Sequence, residues 1–384
     1  MDRFWDAAAD FLKTEGRTQV VAPPGMHALH PLMAAYANVA REDAPRADAL
    51  VLHKGLYREL APDFLCAALA RLHPAFANEV FIILTPGGAL APDHPHAGDL
   101  PAIRDWAQTA APAQRLPQRT GRMAPVYLGK GQVLCETAGG HLMVLAADDR
   151  SITPCMLRDG YFDAGITLFL TRVLRPGMSF LDAGANMGVY AVLAAGAIGP
   201  RGRLLAVEAN PDLAELVQAN FLINGLQGYC RVAATALAGE AGERVLHCFA
   251  RLKGSSTLLP HIAAQALEQL NEKAIPITVP ARPLAMVAQE ADLVPDWIKM
   301  DIEGAEAEVL RASRAWLLQH RPSLLLEWNR GAINGQEDAF LRLLTDELRY
   351  DLQRIGPDGQ TVPVTAEELM RLQHCDLAAR PAQG

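Results

Sequence analysis

No stretch of this 384-residue sequence carries eighteen apolar residues in succession, so nothing in it reads as a membrane-spanning helix. It also lacks a surplus of positive charge: 43 acidic side chains against 35 Lys and Arg leave a formal net charge of -8. Binding a phosphate backbone by counterion release needs the opposite balance, so nucleic acid is not an expected partner. The six cysteines (Cys66, Cys135, Cys155, Cys230, Cys248, Cys375) form no CxxC pair and no metal-ligand spacing, which predicts reduced, mostly buried thiols. The opening MDRFWDAAADFLKTE has neither the basic start nor the unbroken apolar core of a secretory leader. A soluble, cytoplasmic protein is the expectation, and no repeat of fixed period is present.

What is there is a chain half hydrophobic in composition and long enough for two domains. Residues 17–85 alternate RTQVV, a helical stretch near Leu29 to Val39, ADALVLH, a helix from about Tyr57 to Leu72, and EVFIILT. That alternation predicts an N-terminal α/β domain, 1–85, with a parallel sheet. Residues 86–125 are rich in Pro, Ala, Gly and His without sustained period, and read as a linker or surface excursion, with a short helix around Ile103 to Thr109. A β-hairpin and helix follow over 126–175. The alternation then resumes over 176–375, with strands that are nearly continuous apolar runs, as in a sheet covered on both faces. Residues 376–384 read as a tail.

The segment FLDAGANMGVYA (180–191) begins as a strand, turns through two glycines and continues into small apolar residues suited to a helix. Such a turn lets a ligand approach the backbone and puts free N–H groups at a helix start. Dinucleotide folds want GxGxxG, and here Asp182, Gly184, Asn186 and Gly188 form D-x-G-x-N-x-G instead; no GK[ST] of a P-loop follows. About twenty residues on, VEA brings Glu208 to the carboxyl edge of the next strand, where a carboxylate can accept both hydroxyl hydrogens of a ribose. Asn210, Pro211, Asp212 and Gly225 then punctuate a helix as cap, first residue, dipole complement and stop.

LDAGANMGVYA, VEANP, WIKMDIEGAEAEVL and RPSLLLEW, in this order, resemble the FkbM family of S-adenosylmethionine-dependent methyltransferases. The resemblance covers about residues 155 to 355; its most specific piece is K-x-D-x-E-G-x-E at Lys299 to Glu306, and GSST at 254–257 is also similar. It implies an α/β fold of the class I methyltransferase (Rossmann-like) type, a doubly wound sheet, beside the smaller N-terminal α/β domain. It also implies S-adenosylmethionine as cofactor and O-methylation of a hydroxyl on a sugar, glycan or secondary metabolite. Carried over by residue, Asp182, Gly184, Ala185, Asn186 and Gly188 would line the methionine and ribose part, Glu208 would hold the ribose, and Ala209 and Asn210 would border the adenine. No third motif is assigned within RVAATALAGEAGE, and Ser313 stands where the family commonly has Gly.

In WIKMDIEG, Lys299, Asp301 and Glu303 alternate, which sends all three to one side until the strand ends. A buried Lys with two carboxylates is costly unless paired, so the run is expected to emerge at the ligand-binding edge. Asp301 or Glu303 is the expected base or orienting group for an acceptor hydroxyl; an ion pair with Lys299 and helix-start acids at Glu303 and Glu306 would explain the same residues structurally. His247 and His261, flanking GSST, read as packing or capping residues; Ser255, Ser256 and Thr257 read equally as substrate contacts or a solvated loop. Trp328 reads as core. His94 and His96 have no acidic cluster beside them, and no metal is expected. Two other functions fit an α/β scaffold: a nicotinamide-dependent oxidoreductase, disfavoured by the glycine spacing, and a non-catalytic nucleoside-binding or interaction module.

Overall fold

The computed structural model describes residues 3–23, 26, 33–91, 93–113, 122–262, 264 and 274–382. The chain divides into two compact units, Met1–Leu116 and Pro117–Gly384. Among the described residues no helix is long and apolar enough to cross a membrane.

The first unit contains α1 (Arg3–Glu15), β1 (Val20–Ala22), β2 (Met33–Ala35), β3 (Ala49–His53), α2 (Pro62–Leu69), β4 (His73–Ala77), β5 (Phe81–Thr85) and α3 (Leu100–Ala113). Its sheet has the order β2-β1-β3-β5-β4 and is mixed, not parallel: β1 runs parallel to β2 and β3, while β5 is antiparallel to β3 and β4. The turn between β4 and β5 explains the reversal. Asn78 accepts from the backbone N–H groups of Val80 and Phe81 through its side-chain oxygen, a tight turn that leaves no room for the crossover a parallel pair needs. The helix expected near Leu29 to Val39 is also not found where it can be seen: residues 33–35 are strand and 36–38 a short 3₁₀ turn, while 29–32 lie outside the described residues. Tyr36 fixes this segment, its buried hydroxyl donating to the Val51 carbonyl at 2.5 Å and accepting from His53 N–H at 2.9 Å. Part of the segment read as linker is α3, which buries Leu100, Ile103 and Ala107 on one helical stripe.

The second unit opens with an antiparallel sheet of β6 (Val126–Gly129), β7 (Gln132–Glu136) and β8 (Leu142–Ala146), then α4 (Ile152–Asp159) and α5 (Ala164–Val173). Asp163 caps α5 by accepting from Ile166 N–H at 2.8 Å. The main body follows as β9 (Ser179–Ala183), α6 (Val189–Ile198), β10 (Arg203–Glu208), α7 (Pro211–Ile223), β11 (Cys230–Ala234), β12 (Ala236–Leu237), β13 (Gly242–Phe249), β14 (Ala274–Arg282), α8 (Leu284–Glu290), β15 (Trp297–Met300), α9 (Glu306–Ala312), α10 (Arg314–His320), β16 (Ser323–Asn329), α11 (Arg330–Ile333), α12 (Glu337–Arg342), β17 (Tyr350–Ile355), β18 (Thr361–Pro363), α13 (Ala366–Arg371) and β19 (His374–Pro381). Eight strands form one sheet in the order β11-β10-β9-β15-β16-β19-β17-β18. It is the doubly wound α/β arrangement expected: β11, β10, β9, β15 and β16 are parallel, and β19 enters antiparallel between β16 and β17.

Strand residues alternate between two cores. Phe180, Leu204, Trp297 and Leu325 face one apolar cluster with α5, α6 and α7, whereas Leu181, Leu205, Ile298 and Leu324 face another with α8, α9 and α10. The small β6–β8 sheet belongs to the first of these clusters, through Val133, Met143 and Leu145. Two asparagines one turn apart, Asn220 on α7 and Asn224 at its C-terminal cap, bond the backbone of β8. The buried Asn220 accepts from Val144 N–H and donates to the carbonyls of Val144 and Met187, and Asn224 makes the same two bonds with Leu142. The helical stretch expected near 261–272 falls mostly outside the described residues. The tail reading is corrected: 374–381 is a strand, with Leu377, Ala378 and Ala379 fully buried. Its alanines have weak strand preference, and packing between two neighbours decides its conformation.

Candidate active site

The chain leaves the central strand β9 for β10 on one side, and returns later through β15 on the other, so the carboxyl ends of β9 and β15 border the crevice where α/β sheets bind ligands. Gly184 begins the turn after β9 with φ +77°, and a Cβ there would run into the carbonyl oxygen of Asp301. Only glycine lets the two strand ends close up this way. Asn186 also has positive φ, at 53°. Gly188 has a different role: a Cβ at that position would meet Val217 at 3.3 Å, so it sets the approach of α6 to α7.

The sequence suggests free N–H groups in this turn, and the structure corrects that. Gly184 and Ala185 donate to the Val207 carbonyl at 2.9 and 3.1 Å, Gly188 donates to Ala185 at 2.8 Å, Asn186 donates to Glu208 Oε2 at 2.7 Å and Met187 to the Asn186 side-chain oxygen at 2.7 Å. Every backbone donor from 184 to 188 already has an acceptor within the protein. The turn is therefore no nest for a phosphate.

Glu208 lies at the end of β10, buried, with Oε2 on Asn186 N–H and Oε1 accepting from Asn210 N–H at 2.8 Å. These bonds fix its orientation and leave each oxygen a further lone pair. Burial pushes its carboxyl up to about 7 against those two bonds. Asn210 itself caps α7, accepting from Asp212 N–H at 3.0 Å, with Pro211 as the first helical residue.

Below the turn, register places Asp182 opposite Lys299 on β9 and β15. Lys299 is almost fully buried, with Nζ 3.7 Å from Asp182 Oδ1 and 3.5 Å from Asp301 Oδ2. Burial disfavours its charge, but Asp301 and Asp182 outweigh that, and it is held as the ammonium. Asp182 is fully buried and neither carboxylate oxygen has a hydrogen-bond partner; burial lifts its carboxyl to about 6. Strand β15 ends at Met300, so only Lys299 and Asp301 share a side in the way alternation implies. Glu303 sits in the turn beyond, at φ +53°. Its carbonyl accepts from the buried Thr257 hydroxyl at 2.8 Å, and Ile302 N–H is taken by Glu306 Oε1 at 2.9 Å. Burial, then the charges of Asp301 and Glu327, raise the Glu303 carboxyl to about 9, so at neutral pH it is protonated and a donor.

Two cavities open here, of about 530 and 740 Å³ including their mouths, within the range of small-ligand sites. The first, beside β10 and β11, is lined by Glu208, Ala209, Thr235, Ala236, Leu246 and Leu258. The second, beside β15 and β16, is lined by Ile152, Phe162, Tyr190, Lys299 and Glu327 among others. Gly184, Asn186, Asp301 and Glu303 line both. Of the residues singled out from sequence, Ala185 borders the second cavity, while Asp182, Gly188 and Asn210 line neither and act from behind.

The GSST segment divides the two. Ser256 lines the first cavity and Ser255 the second, whereas Thr257 is structural, exchanging both backbone bonds with His247. Asn186 Nδ2 donates to the Lys253 carbonyl at 2.9 Å and ties the segment to the turn. Trp328 is core: it is fully buried, donates to the Leu372 carbonyl at 3.3 Å and stacks on Phe340. Ser313, between α9 and α10, is buried and accepts from Ala285 N–H at 3.3 Å. Sequence reasoning missed Thr235, Tyr190, Phe162 and Glu327; Thr235 stood within RVAATALAGEAGE, and Glu327 within the quoted SLLLEW. Among the described residues, no three His, Cys, Asp or Glu side chains are arranged to hold a metal ion.

Residues 182–352 match the methyltransferase FkbM domain family. Among solved structures, the chain is similar to a methyltransferase FkbM from Methylobacillus flagellatus KT (16% identity, 55% of this chain, 50% of that one, TM-score 0.34). It is also similar to an O-methyltransferase from Bacillus cereus in complex with SAH (16% identity, 56% and 80% covered, TM-score 0.30). A third is a precorrin-6y C5,15-methyltransferase from Geobacter metallireducens GS-15 (13% identity, 56% and 86% covered, TM-score 0.30). The chain spans half the length of the first of these. A search of curated proteins returns no match.

Proposed function

We propose that this chain, whose residues 182–352 match the methyltransferase FkbM domain family, moves a methyl group from S-adenosylmethionine to a hydroxyl of a sugar, glycan or secondary metabolite. The observation that carries this reading is the donor count of the turn after β9. A dinucleotide brings a pyrophosphate that wants unpaired N–H groups, and 184–188 have none left. What the turn offers is a close backbone approach at Gly184 and the remaining lone pairs of Glu208, with the Asp182–Lys299 ion pair buried behind it. That set suits a nucleoside with a free diol, and it disfavours the pyrophosphate of the nicotinamide alternative.

In this reading Glu208 would hold the ribose hydroxyls, Ala209, Thr235, Ala236 and Leu246 would surround the base, and the first cavity is the nucleoside side. When bound, the cofactor supplies a methyl group already activated on a sulfonium. The protein's task is orientation, worth about 7–11 kcal/mol of a barrier, against roughly 3–5 kcal/mol for a general base. Asp301, set by Lys299 where both cavities meet, orients the acceptor; Glu303, protonated, donates to it; Ile152, Phe162 and Tyr190 keep that side apolar. The acceptor is a small molecule or glycan in the second cavity.

Calorimetric titration with S-adenosylmethionine and with NAD tests the cofactor half. Heat and a raised Tm with the first alone are expected; the reverse pattern overturns the reading. Incubation with isotopically labelled cofactor and fractionated host glycans or metabolites, followed by mass spectrometry, tests the acceptor half. Label on an amine nitrogen or on carbon in place of a hydroxyl oxygen would correct it.

A further inference from the structure

An acceptor hydroxyl gives up a proton as its oxygen is methylated, and the groups around the second cavity differ in their capacity to take it. Lys299 is held as the ammonium between Asp182 and Asp301. Asp301 is committed to that ammonium, and Glu303 sits in the positive-φ turn beyond β15, where burial pushes its carboxyl towards the protonated form. Glu327, on the cavity wall at the carboxyl end of β16, is different. Its Oε1 lies 2.7 Å from Nε2 of His374, and the antiparallel register that sets Asn329 opposite His374 holds the two together. The other oxygen, Oε2, has only a 3.4 Å contact from Asn329 Nδ2. The Glu327 side chain is 24% exposed and that of His374 56% exposed, so the pair runs from the cavity wall to solvent.

We propose that Glu327 is the catalytic base of this site, taking the acceptor's hydroxyl proton, and that His374 is its positioning residue. The proposal rests on the methyl-transfer reading. The acceptor O–H bond breaks with its electron pair left on oxygen, the proton passes to the Glu327 carboxylate, and from there to water once the site opens. The His374 ring donates from Nε2 to Oε1 and holds the carboxylate in place. Burial alone would raise Glu327, but the His374 hydrogen bond and charge, with Lys299, bring it below the ordinary glutamate value; reciprocally, Glu327 raises His374. The other titratable groups facing the pair are Asp301, Glu303 and Glu306 beyond β15, and Asp376 on β19, whose buried carboxyl is pushed up to about 7.

Turnover of Glu327→Gln and His374→Gln on the acceptor fraction marked by labelled cofactor, measured across pH beside calorimetric affinity for S-adenosylmethionine, tests this. E327Q is expected to lose about 10²-fold or more in kcat with cofactor affinity within twofold of wild type. H374Q is expected to shift the acid limb of the kcat profile to higher pH, because Glu327 loses its cation; its deficit shrinks as pH rises. E327Q retaining half of wild-type turnover, or H374Q lowering the rate equally at every pH, overturns the proposal. NMR titration of the His374 ring is independent of any acceptor: a midpoint above 6.5 that falls back towards 6.5 in E327Q supports the pair, and the same midpoint in both proteins overturns it. Absence of labelled product with intact cofactor binding would sink the methyl-transfer reading instead, and the ring titration would still decide the pair.

Discussion

The carboxyl ends of β9 and β10 and those of β15 and β16 border the same crevice, yet they are built differently. At the first pair, backbone donors are consumed internally, Gly184 leaves no space for a side chain, and Glu208 is fixed by two N–H groups. At the second, the charges of Lys299, Asp301 and Glu327 bear on the protonation of Glu303, and Asp301 and Glu327 reach the cavity surface. One side is a rigid mould for a constant shape; the other is a set of charges able to exchange protons. On the methyl-transfer reading, affinity for a nucleoside and reactivity towards an acceptor should be separately alterable, although Gly184, Asn186, Asp301 and Glu303 line both cavities.

The sharpest way to break this contrast is Gly184→Ala. The added carbon meets the Asp301 carbonyl at a left-handed φ, and a loss of about 2–4 kcal/mol in stability is expected, visible as a lower Tm together with lost nucleoside binding. An alanine variant that melts with wild type would show the mould to be pliable. Next comes Glu208→Gln, which sets an amide NH₂ against one of two backbone donors and is expected to weaken S-adenosylmethionine binding about 10- to 100-fold, roughly 1.4–2.7 kcal/mol. Wild-type affinity should also rise as pH passes through about 7, where Glu208 becomes the acceptor-only carboxylate; in E208Q that slope should vanish.

On the other side, Asp301→Asn is expected to lower kcat about tenfold while leaving cofactor affinity within threefold, and equal losses in both would merge the two regions into one. The smallest effect concerns stability. Glu303 has a folded-state value near 9, far above an unfolded glutamate, so its protonated form stabilises the fold and that contribution is lost as pH rises. Glu303→Gln should therefore gain on wild type progressively between about pH 4.5 and 9, and no further above it, a trend that chemical denaturation at a series of pH values would reveal.

The sequence makes the first side far more legible than the second. A glycine turn, a terminal acid and a capped helix are local patterns, and they predict the strand-turn-helix order and the placement of Glu208 from neighbours a few residues away. Alternation likewise predicts Lys299 and Asp301 on one side, but not that Asp182 would face Lys299, since register between β9 and β15 is a tertiary fact. Glu327 and His374 are 47 residues apart and meet only because β19 runs antiparallel beside β16. The mixed sheet of the first unit escaped for a related reason. Its apolar runs show strands without direction, and Asn78, which reverses the chain, is a single polar residue in an unremarkable spacing.

The position of β19 has a consequence for how the sheet closes. Until residues 374–381 are in place, β16 and β17 stay apart, because each pairs with β19 and neither with the other. A partly folded chain without β19 would present two open strand edges, and open edges invite foreign strands. The same strand carries His374, so the closing of the sheet and the completion of the crevice's ionisable wall are one event.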